Sequence, residues 1–486
     1  MTSVPNIGSS IGNLINGEWH HDGAERQVLH KFTGEVLAVA HDATPDVVTA
    51  AVTAARAASE SPLQPYERFE ILRKVADAIA RDRERLALEV CRESGLTLKD
   101  CLGDTDRAVQ TMQISAEEAK RITGEIVPIE AAPGFEHRMA FTLRRPVGVV
   151  GAITPFNSPL NTVAHKVGPA LAAGNAVVVK PSPFTPIAAA TLSSMLLEAG
   201  LPPGLIGLVL GPGDPVGTAL VADERVDFFT FTGSTATGKA ISSRLGMRRA
   251  TMECGNVSGT IVCADANVRD AAEQCGRGAF RKAGQVCTSV QRIYVHADVY
   301  DEFLGHLVTS ASALVVGDPE DEKTDIGPMI SEAAARRAEE WVGEAVGQGA
   351  RLVLGGIRSG AAMSPTILTD VPPAARVVCE EIFAPVVSVI PFKDFDEALR
   401  VVNDTPYGLQ AGVFTRDLNK ALEAARRLRV GGVVINATSS TRADLMPYGG
   451  VKDSGYGVEG PRYAIREMTE ERLVLLEPAR PLDGER

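Results

Sequence analysis

Apolar residues recur every three or four positions over residues 43–60, 66–93 and about 98–121, which predicts three amphipathic helices. Pro65 precedes the second and is a favoured residue at a helix start. Over residues 126–142 this spacing gives way to alternation around Pro133-Gly134, which predicts an extended hairpin. From Val147 the pattern changes again. Residues 147–153, 176–180, 208–210 and 228–231 are short continuous apolar runs, as strands buried on both faces of a parallel sheet must be. Helical stretches at 160–173, 187–199, 215–221 and 235–245 lie between them. Alternation of buried strand and helix predicts a doubly wound α/β sheet.

A second α/β series follows. Strands are expected at 260–263 and 292–295, and helices at 268–282, 299–314 and 332–348. Residues 472–477 are expected to form a late strand. There is no internal repeat and no low-complexity segment, and only the termini look loose. A chain of 486 residues should divide into two or three domains.

Composition narrows the function more than the fold. At 45% hydrophobic and 23% charged residues the chain has the balance of a soluble globular enzyme. A net charge of -12 argues against non-specific nucleic-acid binding and against docking on anionic membranes. No apolar run approaches the roughly 20 residues that span a bilayer. Residues 1–16 lack the basic and apolar regions of a signal peptide. Seven scattered cysteines with no Cys-x-x-Cys pair predict neither a disulfide framework nor a metal site, and they fit a reducing cytoplasm.

One cysteine departs from the buried-hydrophobe role of the others. Cys287 follows a glycine-containing turn in Ala283-Gly284-Gln285-Val286-Cys287-Thr288, and Glu253 lies 34 residues upstream. Asn157 stands earlier, in Thr154-Pro155-Phe156-Asn157. A thiol, a carboxylate and an amide supply a nucleophile, a water activator and an oxyanion donor. Each also has a structural alternative: Asn157 could cap the helix beginning near Pro159, and Glu253 could be one of 61 surface acids. The turn from Gly233 to Gly238-Lys239 nearly matches a phosphate-binding P-loop. The next residue is Ala240, so the magnesium-binding hydroxyl is missing. The alternative is a strand, a tight turn and a helix N-terminus facing a dinucleotide. The cluster Gly211, Gly213 and Gly217 has the wrong spacing and is expected to be a simple strand-to-helix turn.

Together with Ile15-Asn16-Gly17-Glu18-Trp19, residues 380–386 and residues 447–455, these segments resemble the NAD(P)-dependent aldehyde dehydrogenase superfamily over about residues 13–478. The resemblance implies a Rossmann-like cofactor domain (1–125 and 147–256), an α/β catalytic domain (257–446) and a small β oligomerisation extension (126–146 and 465–486). It implies a homodimer or homotetramer. In the family's chemistry Cys287 attacks an aldehyde, Asn157 and the Cys287 N–H hold the oxyanion, and Glu253 activates the water that hydrolyses the thioester. The resemblance places Lys180, Ser182, Thr154, Phe156, Gly233, Ser234, Gly238, Gly255, Glu381 and Phe383 around NAD or NADP. Pro183 replaces a frequent family glutamate that disfavours a 2′-phosphate, so NADP stays open. Two further departures are Ala384, where the family usually has glycine, and Asn256, which replaces a glycine beside Glu253.

Within the superfamily, residues 115–121, 165–169 and 442–447 resemble the branch of lactaldehyde and phosphonoacetaldehyde dehydrogenases. Arg107 and Arg442 are the candidates to bind an anionic substrate group by paired hydrogen bonds. The alternative for Arg107 is a helix-surface pair with Asp104 or Asp106. Ser158 and Val286 stand where phosphonate-oxidising relatives often have histidine and arginine. That weakens phosphonoacetaldehyde and leaves a small hydroxy- or anion-bearing aldehyde. Competing functions are an acylating dehydrogenase using coenzyme A, a P-loop nucleotidase and a non-catalytic structural protein.

Overall fold

A computed structural model describes residues 10–478 of the chain. Residues 1–9, within the 1–16 stretch read for a signal peptide, and 479–486 of the 465–486 segment lie outside the described residues. The first sheet has eight strands. Across it run Gly455–Tyr456, Arg249–Glu253, Phe228–Thr232, Val149–Ile153, Ala176–Lys180, Ile206–Leu208, Asn13–Ile15 and Glu18–His20. The five strands from Arg249–Glu253 to Ile206–Leu208 are mutually parallel, and the flanking ones are antiparallel. Chain order reverses beside Val149–Ile153: the two strands that follow it build outward on one side, the next two on the other. In such sheets ligands bind at the carboxyl ends of the strands flanking that reversal. Helices Pro45–Ser59 and Asn161–Ala173 pack on the central strands.

The second sheet has seven strands, in the order Arg351–Leu354, Thr366–Thr369, Val386–Phe392, Arg292–His296, Gly259–Val262, Gln410–Phe414 and Gly432–Ile435. Only its first pair is antiparallel. Each sheet has its own apolar core, the first built mainly from residues before Cys254 and the second from residues after Val257. A small antiparallel sheet joins Ile126–Val127, Met139–Pro146 and Thr469–Leu476.

The expected elements form with local differences. The helix expected over 66–93 is two, Pro65–Arg81 and Arg83–Ser94, because Asp82 leaves helical geometry at φ −98°, ψ 21° and pairs with Arg81 and Arg85. The apolar spacing continues across the break and so hides it. The strand expected from Val147 begins at Val149, after Gly148 turns through φ 125°. The strand expected at 208–210 is Ile206–Leu208, and the helix expected to reach 282 stops at Phe280. Four strands of the second sheet between residues 366 and 435 carried no clear alternation because they are buried or short. Among the described residues no helix is long and apolar enough to cross a membrane, and no cluster of potential metal ligands occurs.

Candidate active site

The carboxyl ends of the first sheet and the loop before strand Arg292–His296 of the second enclose a cavity of about 620 Å³. After Ile153 the chain runs through Thr154, Phe156, Asn157 and Ser158 along its wall. The following helix begins at Asn161 with Leu160 at its N-cap, so Asn157 does not cap it. Its Nδ2 donates instead to the Gln285 carbonyl at 2.8 Å, which ties the two sides of the cavity together.

Cys287 is presented by a strained turn. Lys282, Ala283 and Gly284 take φ of 53°, 53° and 68°, the left-handed region that costs a non-glycine residue about 1 kcal/mol or more. Three contacts of Lys282 Nζ hold the turn: Ser158 Oγ at 2.7 Å, Asn157 O at 3.2 Å and Asp104 Oδ1 at 3.2 Å. Gln285 is buried; its Nε2 donates to Lys282 O at 3.2 Å and its Oε1 accepts from Ile330 N at 2.9 Å. A side chain at Gly284 would collide with the Ala384 carbonyl. Burial pushes the Cys287 thiol up. The Tyr448 hydroxyl, 2.9 Å from its Sγ, and the Arg442 charge pull it down, while Glu253 and Glu381 push it up.

Glu253 is the last residue of its strand. It is buried, and among the described residues neither carboxylate oxygen has a hydrogen-bond partner, so both face water or substrate. Burial, and then the Glu459 charge, hold its carboxyl well above the usual range against Arg442 and Lys166. Glu459 behaves oppositely. Burial opposes its ionisation, but Lys166 Nζ at 2.8 Å and Arg442 Nη2 at 3.2 Å hold it down to about 2.

Lys180, Ser182, Pro183, Gly233, Ser234, Gly255, Glu381 and Phe383 continue the cavity away from Cys287. Lys180 is buried with only the Pro181 carbonyl on its Nζ, at 3.2 Å, and burial lowers it to about 8. The Thr154 hydroxyl is buried without a partner, and Phe156 meets Phe383 edge to face at 5.9 Å. Glu381, raised to about 7 by burial, accepts from the Asn256 amide at 2.9 Å. A Cβ at Gly255 would lie 2.6 Å from Glu381 Oε2, so a larger residue there would push the Glu381 carboxylate aside. Asn256 does not take the left-handed conformation that demands glycine, and its side chain donates to Ser258 Oγ. The departure at 256 therefore leaves the backbone beside Glu253 unstrained.

The structure redraws other expectations. Gly238 does not line the cavity; it lets its helix close on Cys254 Sγ and the Phe231 ring. Lys239 of the near P-loop pairs with Asp453 at 2.6 Å, outside the cavity. Arg107 pairs with neither Asp104 nor Asp106. It reaches the cavity wall and makes two hydrogen bonds to Asp444, at 2.7 and 3.1 Å. Arg442 also lines the wall, stacked 3.7 Å from the centroid of the Tyr448 ring. Ser158 and Val286 line it as well.

Arg281 escaped the sequence reading. It lines the cavity with Nε on Ser440 Oγ at 3.0 Å, and among the described residues no carboxylate lies within ion-pair distance. Its place six residues before Cys287 at a helix end was the available signal. Lys166 and Glu459 were also missed, because a buried lysine and a buried glutamate look like surface residues until their pairing is seen.

The sequence model of the aldehyde dehydrogenase family matches residues 19–474. The chain is 50% identical to 3-sulfolactaldehyde dehydrogenase of Priestia aryabhattai over 476 residues, 98% of this chain and 100% of that protein. It is 37% identical to lactaldehyde dehydrogenase of Methanococcus aeolicus over 470 residues, 95% of this chain and 99% of that one. The fold matches NADP-dependent glyceraldehyde-3-phosphate dehydrogenase from Bacillus halodurans, complexed with NADP, with a TM-score of 0.94 and 35% identity, covering 97% of this chain and 100% of that one. Two sheets meeting at one cavity and similarity along almost the whole length lead to one conclusion: the chain belongs to the aldehyde dehydrogenase family.

Proposed function

We propose that the protein oxidises a small aldehyde bearing a remote anionic group to its carboxylate, with NAD+ or NADP+ as acceptor. The observation that carries the anionic class is Arg281, a cation on the cavity wall with no carboxylate partner among the described residues, lining the same cavity as Cys287. Arg107 is paired with Asp444, whereas Glu459 is shared between Arg442 and Lys166, so Arg442 keeps part of its charge at the cavity wall. Relatives named for sulfolactaldehyde and glyceraldehyde-3-phosphate support a charged substrate.

Cys287 is the nucleophile. Its thiolate forms a bond to the aldehyde carbon while Asn157 Nδ2 and the Cys287 N–H stabilise the oxygen, a type of contact worth about 10²–10³ in rate. A bound nicotinamide cofactor would supply the hydride acceptor for the oxidation. The Lys180 ammonium, bonded to the Pro181 carbonyl alone among the described residues, and the Thr154 hydroxyl, with Gly233, Ser234, Glu381 and Phe383, suit its ribose, phosphate and nicotinamide portions. Glu253, whose carboxylate has no hydrogen-bond partner among the described residues, activates water against the thioester. A base in that position favours hydrolysis over transfer to coenzyme A.

Residues 1–125 and 147–256 then form the cofactor domain and 257–446 the catalytic domain. Exposed Ile126, Met139, Leu143, Leu473 and Leu475 on the small sheet suit a subunit contact in a homodimer or homotetramer. Seven unpaired thiols suit the cytoplasm.

The test is reduced-cofactor formation with 3-sulfolactaldehyde, phosphonoacetaldehyde, lactaldehyde and propanal, each with both cofactors. Anionic aldehydes should lead in kcat/KM, and Arg281→Gln should erase their lead by about 10- to 100-fold, the worth of a charged hydrogen bond. Neutral aldehydes leading, or an unchanged ratio in Arg281→Gln, would remove the anionic class. Cys287→Ala should abolish turnover of all four.

A further inference from the structure

Cys287 Sγ lies 2.9 Å from the Tyr448 hydroxyl, its one side-chain hydrogen-bond partner among the described residues. Tyr448 reaches it across 161 residues of chain and is 5% exposed. Its position is fixed twice. The backbone is paired with Glu459, Tyr448 N donating to Glu459 O at 3.1 Å and Glu459 N to Tyr448 O at 2.6 Å. The ring is covered by the Arg442 guanidinium, 3.7 Å from its centroid, and Arg442 is anchored on the Glu459 carboxylate at 3.2 Å. Burial raises the phenol well above its usual range, so the hydroxyl keeps its proton and acts as a donor toward an ionised sulfur.

We infer that Tyr448 is a catalytic residue whose hydroxyl donates a hydrogen bond to Cys287 when its thiol ionises, with Arg442 as the positioning residue behind its ring. The role rests on Cys287 being the nucleophile. The charged and titratable groups facing the sulfur are Tyr448, Arg442, Glu253, Glu381 and Arg281. Tyr448 and Arg442 favour the thiolate, and the two glutamates oppose it.

The step balances simply. The thiol proton leaves to water, and the thiolate electron pair forms the C–S bond as the carbonyl π pair moves to oxygen. The sulfur is then uncharged, and the hydroxyl loses its anionic acceptor. Tyr448 therefore stabilises the nucleophile before attack and not the product of attack. A thiol pKa lower by one unit gives about tenfold more thiolate at neutral pH, while each thiolate becomes about threefold less nucleophilic. The net gain is about threefold at neutral pH, with a loss of about threefold once the thiol is fully ionised. A donor to the thiolate thus makes the two pH limbs move in opposite directions, which a purely structural role does not.

The experiment is the rate of Cys287 alkylation by iodoacetamide, followed by peptide mass spectrometry on the full-length enzyme from neutral to alkaline pH. Tyr448→Phe should react about threefold more slowly at neutral pH and about threefold faster on the alkaline plateau. Arg442→Gln keeps the tyrosine and should shift the profile in the same direction, a second readout should Tyr448→Phe fold poorly by circular dichroism. Superimposable profiles, or both limbs slowed together, would overturn the role. Cys287→Ala separates the two levels. If it still reduces cofactor, the nucleophile assignment falls and takes the Tyr448 role with it. If it is inactive while Tyr448→Phe alkylates like wild type, only the Tyr448 role falls.

Discussion

Arg107 and Asp444 are joined by two hydrogen bonds, at 2.7 and 3.1 Å, across 337 residues of chain. Asp444 is 2% exposed and also takes His165 Nε2 at 2.8 Å and Asn161 Nδ2 at 3.2 Å. One carboxylate therefore locks the long helix Leu98–Ala119, the helix Asn161–Ala173 and the segment before the Pro447-Tyr448 turn into a single wall. Burial opposes its ionisation, yet the His165 and Arg107 hydrogen bonds hold its carboxyl well below the usual range.

Asp444→Asn should lower stability by about 3 kcal/mol, the low end for breaking a buried pair because Arg107 keeps some contact with water. The pH dependence follows from the depressed folded pKa. The stabilisation is complete above the unfolded carboxylate pKa of about 3.9 and is lost as pH falls below it toward the folded value. Urea denaturation at several pH values would show this acid loss in wild type and its reduction in Asp444→Asn. Equal curves for the two proteins would mean that the pair is dispensable.

Glu253→Gln should stop the cycle after acylation. Steady-state turnover should fall by about 10²–10⁴, the usual contribution of a general base, while one burst of reduced cofactor per active site remains. Since burial holds the Glu253 carboxyl well above the usual range, wild-type turnover should rise with pH above the ordinary carboxylate range as the base ionises. The variant should lose that rise. Stopped-flow absorbance of the reduced cofactor reads both effects, and a variant without a burst would place Glu253 in the attack step instead.

Gly238→Ala should act on stability and not on the cofactor. The added methyl would press on Cys254 Sγ and lie 3.3 Å from the Phe231 ring. Overpacking of this kind costs about 1–3 kcal/mol. Thermal denaturation should show a lower Tm with cofactor affinity, read by fluorescence quenching, little changed. Weakened affinity at an unchanged Tm would return Gly238 to the cofactor turn.

Pro183→Glu should narrow cofactor choice. Pro183 lines the cavity beside Lys180, and its carbonyl accepts from Arg26 Nη1. A carboxylate there would repel a 2′-phosphate, so NADP+ should bind about tenfold or more weakly, equivalent to about 1.4 kcal/mol, with NAD+ little affected. Calorimetric titration of both cofactors into both proteins decides it, and a parallel loss for NAD+ would point to distortion of the groove.

Much of the molecule was legible in the sequence. The buried strands 176–180 and 228–231 and the amphipathic helices 43–60 and 98–121 declared themselves through periodicity, which depends on neighbours along the chain. Cys287, Glu253 and Asn157 were singled out by residue type, local turn signals and joint resemblance to a family, and the structure brings all three to one cavity. What periodicity could not carry was any relation between segments distant in sequence. The break at Asp82 left the apolar spacing intact, and the left-handed turn at Lys282 and Ala283 is imposed by contacts with Ser158, Asn157 and Gln285.

The charges show the division most plainly. By itself the sequence determined that arginines stand at 107, 281 and 442 and a lysine at 166. Only the tertiary structure decided that Asp444 pairs with Arg107, that Arg442 and Lys166 share Glu459, and that among the described residues Arg281 has no carboxylate within ion-pair distance. The reason is physical. A side chain's ionisation and its availability to a ligand depend on burial and on charges within a few ångströms, and folding brings those charges from anywhere in the chain.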